Sequence, residues 1–394
     1  MPIYLDHAAT TPLRREALDA MLPLLGEVYG NPSSVHAYGR AARAALDEGR
    51  ERFAAQLSAE PREIIFTAGG TEAINLALKG VAWAGKARGS RLVTSGVEHH
   101  AVMHAMRHLE KFGFEVVTLP VDRYGRLDPE QLDAAINDRT ILVSVLMANN
   151  EVGTVQPLTE IIRRVRAHRG VAIHLDAVQA APYMAIDTRE LDVDLISFSA
   201  HKFEGPKGIG ALYLRHGTIL LPQIHGGSQE RYRRAGTENV AGAAGMAIAY
   251  ELARAEQSDT APRLAMLRDR LRDAILALPN VELTGHPRKR LPGHLSVIAR
   301  DTEGEDLVMS LDLVGIAAST GAACTTGSTE PSHVLTALGY PDEEARGSLR
   351  ISLGRTTTEE EIDAAIGLIP KTIIKLRESA SVLASGALGE QVGA

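Results

Sequence analysis

The chain has 394 residues, of which 45% are hydrophobic and 23% are charged. This balance is that of an ordinary globular protein, and it excludes disordered and fibrous classes. The length exceeds what one hydrophobic core usually supports, so two domains are expected. The formal net charge of -7 provides no broad basic field, so nucleic acid is not expected as a direct ligand.

Neither a signal sequence nor a membrane span is evident. Residues 1–7 lack a charged and then apolar leader, and no stretch approaches the roughly 20 apolar residues that cross a bilayer. We therefore expect a cytoplasmic protein without membrane contact. Cys324 is the only cysteine, so it cannot form an internal disulfide, and any role it has depends on its own chemistry or on another chain.

Short β-rich runs alternate with helical patterns between about residues 62 and 216. The runs lie at 63–67, 91–94, 114–121, 141–148, 171–176, 193–199 and 210–214. This alternation predicts a mostly parallel, seven-stranded α/β sheet with helices on both faces. Helices are expected from Thr71 to about Trp83, and after Asp128, where Pro129 would occupy the first helical position.

The pattern changes after about residue 258. A long helix through Leu278 is followed by two short strands, a helix near 306–313, a loop of small residues and a final helix. Thr357 and Glu360 have the spacing of a capping box for that last helix. We expect a large domain at 13–257 and a smaller α+β domain formed by 1–12 and 258–394.

Lys202 follows a buried strand in the segment SFSAHK at 197–202 and precedes GPKGIG at 205–210. Ligands of α/β sheets bind at strand ends, and a neutral lysine amine can attach covalently to an aldehyde cofactor. The alternative is a surface lysine beside a turn, because lysines are mostly exposed. Other features of the same sheet have to decide between these interpretations.

Three such features follow predicted strands. The turn TAGGTE at 67–72 leads into a helix, and its glycines let backbone N–H groups approach a phosphate, although a tight βα turn is the alternative. Asp176 can keep a pyridine nitrogen protonated, or it can cap a helix. His99 can stack on a ring or move protons, or it can begin a solvated helix.

His100 and His104 share a helix face at a spacing that can ligate zinc. No third ligand is suggested nearby, so no resident metal is expected.

Taken together, these segments resemble the cysteine desulfurases of the NifS and IscS kind, in the class V branch of fold-type I pyridoxal-phosphate enzymes. The resemblance covers nearly the whole chain, from YLDHAATTP at 4–12 and GNPSS at 30–34 to LRISLGR at 349–355. It implies a fold-type I fold with pyridoxal 5'-phosphate on Lys202, Asp176 paired with the pyridinium nitrogen, and His99 stacked on the ring.

The resemblance also implies contacts for the rest of the cofactor. Asn150 and Gln179 would contact the phenolate oxygen or the substrate. The implied phosphate ligands are Gly70, Thr71, Ser199 and His201. Thr237 would reach the phosphate of the partner subunit, which implies a homodimer with shared active sites.

Arg350 matches the arginine that binds the substrate carboxylate, a task that suits the planar guanidinium fork. A surface arginine at a strand end is the alternative. Residues 319–331 form a run of small and hydroxyl residues typical of a loop, and they match the catalytic cysteine loop of the family. Cys324 would then be the sulfur nucleophile, and it is also a candidate transient ligand of an iron–sulfur cluster.

The implied reaction converts L-cysteine to L-alanine and leaves a persulfide on Cys324. Acceptor proteins would take that sulfur for iron–sulfur cluster assembly or other thiolation. A selenocysteine lyase or another class V aminotransferase would not require Cys324, and a non-catalytic scaffold would require neither Cys324 nor Lys202. Ser228 departs from the glycine or histidine common in the family, and the C-terminal tail matches no known docking tail, so the acceptor stays open.

Overall fold

A computed structural model describes residues 2–321 and 331–390. Its main sheet has seven strands among these residues: β2 (Ile64–Thr67), β3 (Arg91–Ser95), β4 (Glu115–Leu119), β5 (Thr140–Leu146), β6 (Ala172–Asp176), β7 (Leu195–Ser199) and β8 (Gly210–Leu214). Their order is β2-β8-β7-β6-β5-β3-β4. Only β8 pairs antiparallel with its neighbours within this sheet. The predicted seven-stranded, mostly parallel sheet is therefore confirmed.

Helices cover both faces of this sheet. They are α1 (Arg15–Gly26), α2 (Ala37–Ala55), α3 (Gly70–Gly85), α4 (His100–Glu110), α5 (Gln131–Ala135), α6 (Leu158–Arg166), α7 (Gln229–Tyr232) and α8 (Val240–Ala255). Successive strand side chains point to opposite faces. Along β7, Leu195 packs with α3 and α4, whereas Ile196 and Phe198 pack with α2 and α8. β7 is thus buried on both faces of the sheet, which explains its apolar run in the sequence.

A second sheet lies in the C-terminal part of the chain. Its antiparallel order is β12-β10-β9, with β9 (Val281–Leu283), β10 (His294–Ala299) and β12 (Ser348–Ser352). Separately, β1 (Ile3–Tyr4) pairs in parallel with β11 (Ile316–Ala317). The helices here are α9 (Gln257–Leu276), α10 (Gly304–Leu313), α11 (His333–Ala337), α12 (Asp342–Arg346) and α13 (Glu359–Glu390). Leu5 shares a core with residues from 264 to 373, and the predicted domain boundaries stay a prediction.

Two helix starts differ from the prediction. Asp128 accepts a hydrogen bond from Glu130 N in a turn, so α5 begins only at Gln131. The capping box of α13 is shifted by one residue, because Thr358 and Glu361 exchange side-chain and backbone hydrogen bonds. Thr357 instead accepts from Gly354 N. Side-chain spacing alone does not fix a helix end to one residue.

No helix in the described ranges is long and apolar enough to cross a membrane.

An aromatic cluster packs against β7 on the face of the sheet that α2 and α8 cover. Phe53 lies 5.3 Å from Phe198 and 5.0 Å from Tyr250, and Phe203 lies 5.1 Å from Tyr250, measured between ring centroids. Phe198 and Phe203 flank the turn that carries Lys202 in sequence. The position of that turn therefore depends on core packing as well as on its own hydrogen bonds.

We expect Phe198→Ala to lower the free energy of unfolding by about 3–5 kcal/mol, because it removes a fully buried ring and leaves a cavity. Urea unfolding measures the change. Met309→Ala is the control, because Met309 is 66% exposed and its loss should change stability little. Equal effects of the two substitutions would contradict the packing role.

Candidate active site

A cavity of about 1000 Å³ opens at the carboxyl ends of the central strands. Ten of the twelve predicted site residues line it: Gly70, Thr71, His99, Asn150, Asp176, Gln179, Ser199, His201, Lys202 and Arg350. These residues come from many separate points of the sequence. The fold therefore brings into one cavity residues that the sequence placed only at separate points, mostly at the ends of predicted strands.

Lys202 ends a short 3₁₀ turn, Ala200–Lys202, directly after β7. Its Nζ donates hydrogen bonds to the carbonyl oxygens of Ala8, at 2.5 Å, and of Ala9, at 2.8 Å. The amine thus lies against Ala8 and Ala9, which also line the cavity. A lysine held in this way is not the surface lysine of the alternative interpretation.

Asp176 is the last residue of β6 and is only 6% exposed. Its Oδ1 accepts a hydrogen bond of 2.9 Å from Val178 N. Burial raises the pKa of its carboxyl to about 6, while the Val178 hydrogen bond and the charge of Lys202 act in the opposite direction. The carboxylate therefore stays ionised at neutral pH and can pair with a cationic ring nitrogen.

The N-terminus of α3 forms a cradle for an anion. Gly69 has φ of +155°, and α3 begins at Gly70 without a side-chain cap. A Cβ on Gly70 would lie 2.8 Å from Val178 Cγ2 and 3.2 Å from Ser199 Cβ. Glycine therefore lets the start of α3 pack closely against Val178 and Ser199, and the helix N–H groups and dipole favour a phosphate at this end. His201 borders the same cavity, with Nδ1 3.1 Å from Thr10 Oγ1.

His99 caps α4, because its Nδ1 accepts a hydrogen bond of 3.1 Å from Ala101 N. Burial, reinforced by the nearby charge of Lys202, lowers the pKa of this imidazole to about 4. The ring is therefore neutral at pH 7, and it lines the cavity. His99 is consequently not the solvated helix start of the alternative interpretation.

Arg350 extends from β12 and its side chain is 2% exposed. Its Nη2 donates to Asp6 Oδ1 at 2.9 Å and its Nη1 donates to the carbonyl of Asn150 at 3.2 Å. Gln179 Nε2 donates to Ala8 O at 2.9 Å. Arg350 is thus an anchored, buried cation beside the cavity, which excludes the surface arginine.

The remaining two predicted residues are Thr237 and Cys324. Thr237 is exposed and lies before α8, outside the lining of the cavity. Cys324 lies outside the described residues.

The chain matches the family model described as aminotransferase class V over residues 3–365. The chain belongs to the class V aminotransferase family. It is 49% identical to a cysteine desulfurase IscS of Methanosarcina thermophila, across 95% of this chain and 93% of that protein. It is 48% identical to a cysteine desulfurase IscS of Dictyoglomus turgidum, across 95% of both chains.

Solved structures agree with this family. A NifS-like protein matches with a TM-score of 0.91 at 38% identity, covering 95% of this chain and all of that chain. SspA, solved in complex with cysteine, matches with a TM-score of 0.80 at 33% identity, covering 90% and 99% of the two chains. The predicted fold-type I class is thereby confirmed for this class V protein.

The histidines of α4 show no metal-binding arrangement in this class V chain. His100 packs between His104 and His333 with tilted rings, whose centroids lie 5.2 and 4.6 Å from its own. Across the described residues, no group of three or more His, Cys, Asp or Glu side chains is arranged to hold a metal ion.

Glu98 does not line the cavity, but it accepts a hydrogen bond from Leu146, which does, and sequence reasoning missed it. It is fully buried, and its Oε1 accepts from Ser95 Oγ at 2.6 Å and from Leu146 N at 3.1 Å. Its Oε2 has no hydrogen-bond partner among the described residues. Burial, with a smaller effect of the Asp176 charge, raises the pKa of this carboxyl to about 8. Glu98 is therefore neutral at pH 7, next to an ionised Asp176.

We expect Glu98→Gln to change how stability depends on pH. A carboxyl whose folded pKa is raised stabilises the protein at low pH, and this contribution is lost as the pH rises toward 8. Between about pH 5 and 8, the unfolding free energy of the wild type should fall relative to Glu98→Gln by up to ~1.4 kcal/mol per pH unit. Urea unfolding of both proteins across this range measures the difference, and parallel curves would contradict a neutral Glu98.

Proposed function

We propose that this class V protein is a pyridoxal-phosphate-dependent cysteine desulfurase, which removes sulfur from L-cysteine and leaves L-alanine. The observation that carries the proposal is the shared cavity of Lys202, Asp176 and Arg350, in a chain whose only cysteine is Cys324. The relatives named cysteine desulfurase support it across 95% of the chain. The identity of the cofactor and the roles of the site residues are proposed together with this activity.

The cavity fits this cofactor. The cradle at Gly70 accepts its phosphate, with Thr71, Ser199 and His201 as the other proposed ligands. Asp176 provides a buried charge for the ring nitrogen, and the neutral His99 provides a face for the ring. Asn150 and Gln179 line the remaining edge. Lys202 is the residue that would hold the cofactor covalently.

The proposed reaction uses the groups of the chain in order. Arg350 binds the carboxylate of L-cysteine, and its contacts with Asp6 and Asn150 fix the plane of the guanidinium group. The Lys202 amine takes the proton from the substrate Cα and later returns a proton to the carbon fragment. Bound pyridoxal phosphate supplies the electron sink for this proton removal.

Sulfur transfer is the role of Cys324. Its thiolate attacks the substrate sulfur, so that a sulfur–sulfur bond forms and the Cβ–S bond breaks. The electron pair of the broken bond stays with the carbon fragment, which is protonated to alanine. The persulfide on Cys324 then passes its outer sulfur to an acceptor protein. The thiolate is a strong nucleophile even when it is a small fraction of the thiol at neutral pH.

We also propose a homodimer with shared active sites, in which Thr237 contributes to the cavity of the partner. Thr237 is exposed and outside the cavity of its own chain. Large apolar side chains are also exposed between the end of α1 and the start of α2: Leu25 (63%), Tyr29 (68%), Val35 (89%) and Tyr38 (58%). Such surfaces mark protein–protein contacts. A cytoplasmic location is part of the same proposal.

We expect Cys324→Ala to abolish sulfide release from L-cysteine in the presence of a reductant, because no other thiol in the chain can accept the sulfur. The measurement compares sulfide and alanine production by the wild type and the variant, both loaded with pyridoxal phosphate. Alanine production and sulfide production should fall together. Equal yields in the two proteins would contradict the desulfurase proposal and favour another class V activity.

A further inference from the structure

The buried carboxyl group of Glu151 lies close to Gly321 and Ser332, two described residues on either side of the segment that carries Cys324. Glu151 is 4% exposed, and its Oε2 accepts a hydrogen bond from the Ser332 hydroxyl. A Cβ built on Gly321 would lie 3.2 Å from the same Oε2. Glu151 therefore binds the residue on one side of the Cys324 segment and lies close to the residue on its other side.

Other buried contacts hold these two flanking residues in place. Gly321 N donates to Ser348 Oγ at 3.3 Å, and Ser332 Oγ accepts from Leu335 N at 3.2 Å, which caps α11. Ser348 and Ser332 are 4% and 3% exposed. The positions of both flanking residues are thus set by hydrogen bonds to core elements.

Glu151 is also joined to the side of the cavity that binds the substrate carboxylate. Its N–H donates to Asn149 Oδ1 at 2.8 Å, and the carbonyl of the intervening Asn150 accepts from Arg350 Nη1 at 3.2 Å. Ser319 pairs with Arg350 through two backbone hydrogen bonds of 2.7 and 3.1 Å. Glu151 therefore lies between Arg350 and the segment that carries Cys324.

We propose that Glu151 is a positioning residue, which aligns the ends of the cysteine-bearing segment with Arg350 for the transfer of sulfur to Cys324. This inference rests on the proposed function. Glu151 does not line the cavity, so it acts through Ser332 and Gly321 and not by contact with the substrate. Substrate binding and removal of the Cα proton should then be independent of Glu151, whereas sulfur transfer should depend on it.

The first test separates binding from transfer. We expect Glu151→Ala to leave KM for L-cysteine nearly unchanged and to lower kcat for sulfide release by about ten- to hundredfold, because small misplacements of reacting groups cost this much. Glu151→Gln keeps an oxygen that can accept from Ser332, so it should restore most of the rate. A raised KM with unchanged kcat, or no rescue by glutamine, would overturn the proposal.

A double-mutant cycle tests the path through Ser332. Ser332→Ala should slow sulfide release like Glu151→Ala, and the double variant should be no slower than either single variant, because both remove the same hydrogen bond. Additive losses would overturn this path. Thr188→Ala is the matched control, since it removes a buried hydroxyl hydrogen bond to the Leu57 carbonyl, and neither residue lines the cavity. Its rate should equal that of the wild type.

A second readout does not depend on activity. Cys324 is the only cysteine, so the rate of alkylation by iodoacetamide reports on this thiol alone. We expect a severalfold change of that rate in folded Glu151→Ala and an equal rate in the two proteins in urea. Identical rates in the folded proteins would overturn the positioning role. A wild type that releases no sulfide would instead defeat the proposed function, with the alkylation result still interpretable.

Discussion

The cavity depends on the passage of the N-terminal segment, residues 6–11, across the carboxyl edge of the main sheet. Ala8 O accepts from both Lys202 Nζ and Gln179 Nε2, while Asp6 binds Arg350. This segment continues β1, which pairs with β11 beside the second sheet. Backbone carbonyls and one carboxylate thus fix a lysine from the main sheet and an arginine from the second sheet relative to each other. Without this segment Lys202 would lose the carbonyl acceptors of Ala8 and Ala9, and Arg350 would lose its carboxylate partner.

Two buried carboxyl groups near this edge differ in their charge at neutral pH. Asp176 has a pKa of about 6 and Glu98 a pKa of about 8, so at neutral pH one is ionised and the other protonated. Two ionised carboxylates in this low-dielectric region would repel each other, and the protonated Glu98 avoids that cost. Environments that drive equivalent groups apart in pKa are typical of sites that perform acid–base chemistry. Asp176 therefore keeps its negative charge at neutral pH, and this charge can pair with a cationic ligand.

The strands and the strand-end residues were predictable because they depend on local patterns. The doubly buried strand β7 reads as an apolar run, and the position of Lys202 follows from its end. Glu98 and Glu151 could not be found in this way, because their burial arises from packing between distant segments. The predicted position of the capping box of α13 was wrong by one residue, because several threonines and glutamates there have the required spacing. Thr237 and Cys324 stay predictions, because one would act on a partner and the other lies outside the described residues.

The central claim is that Lys202 holds the cofactor. Lys207 also lines the cavity and is the competing amine. Reduction of the protein loaded with pyridoxal phosphate by borohydride, followed by peptide mass spectrometry, identifies the modified lysine directly. We expect the pyridoxyl group on Lys202 alone, with loss of the modification when L-cysteine is added before the reductant. A pyridoxyl group on Lys207, or on no lysine, would contradict the account.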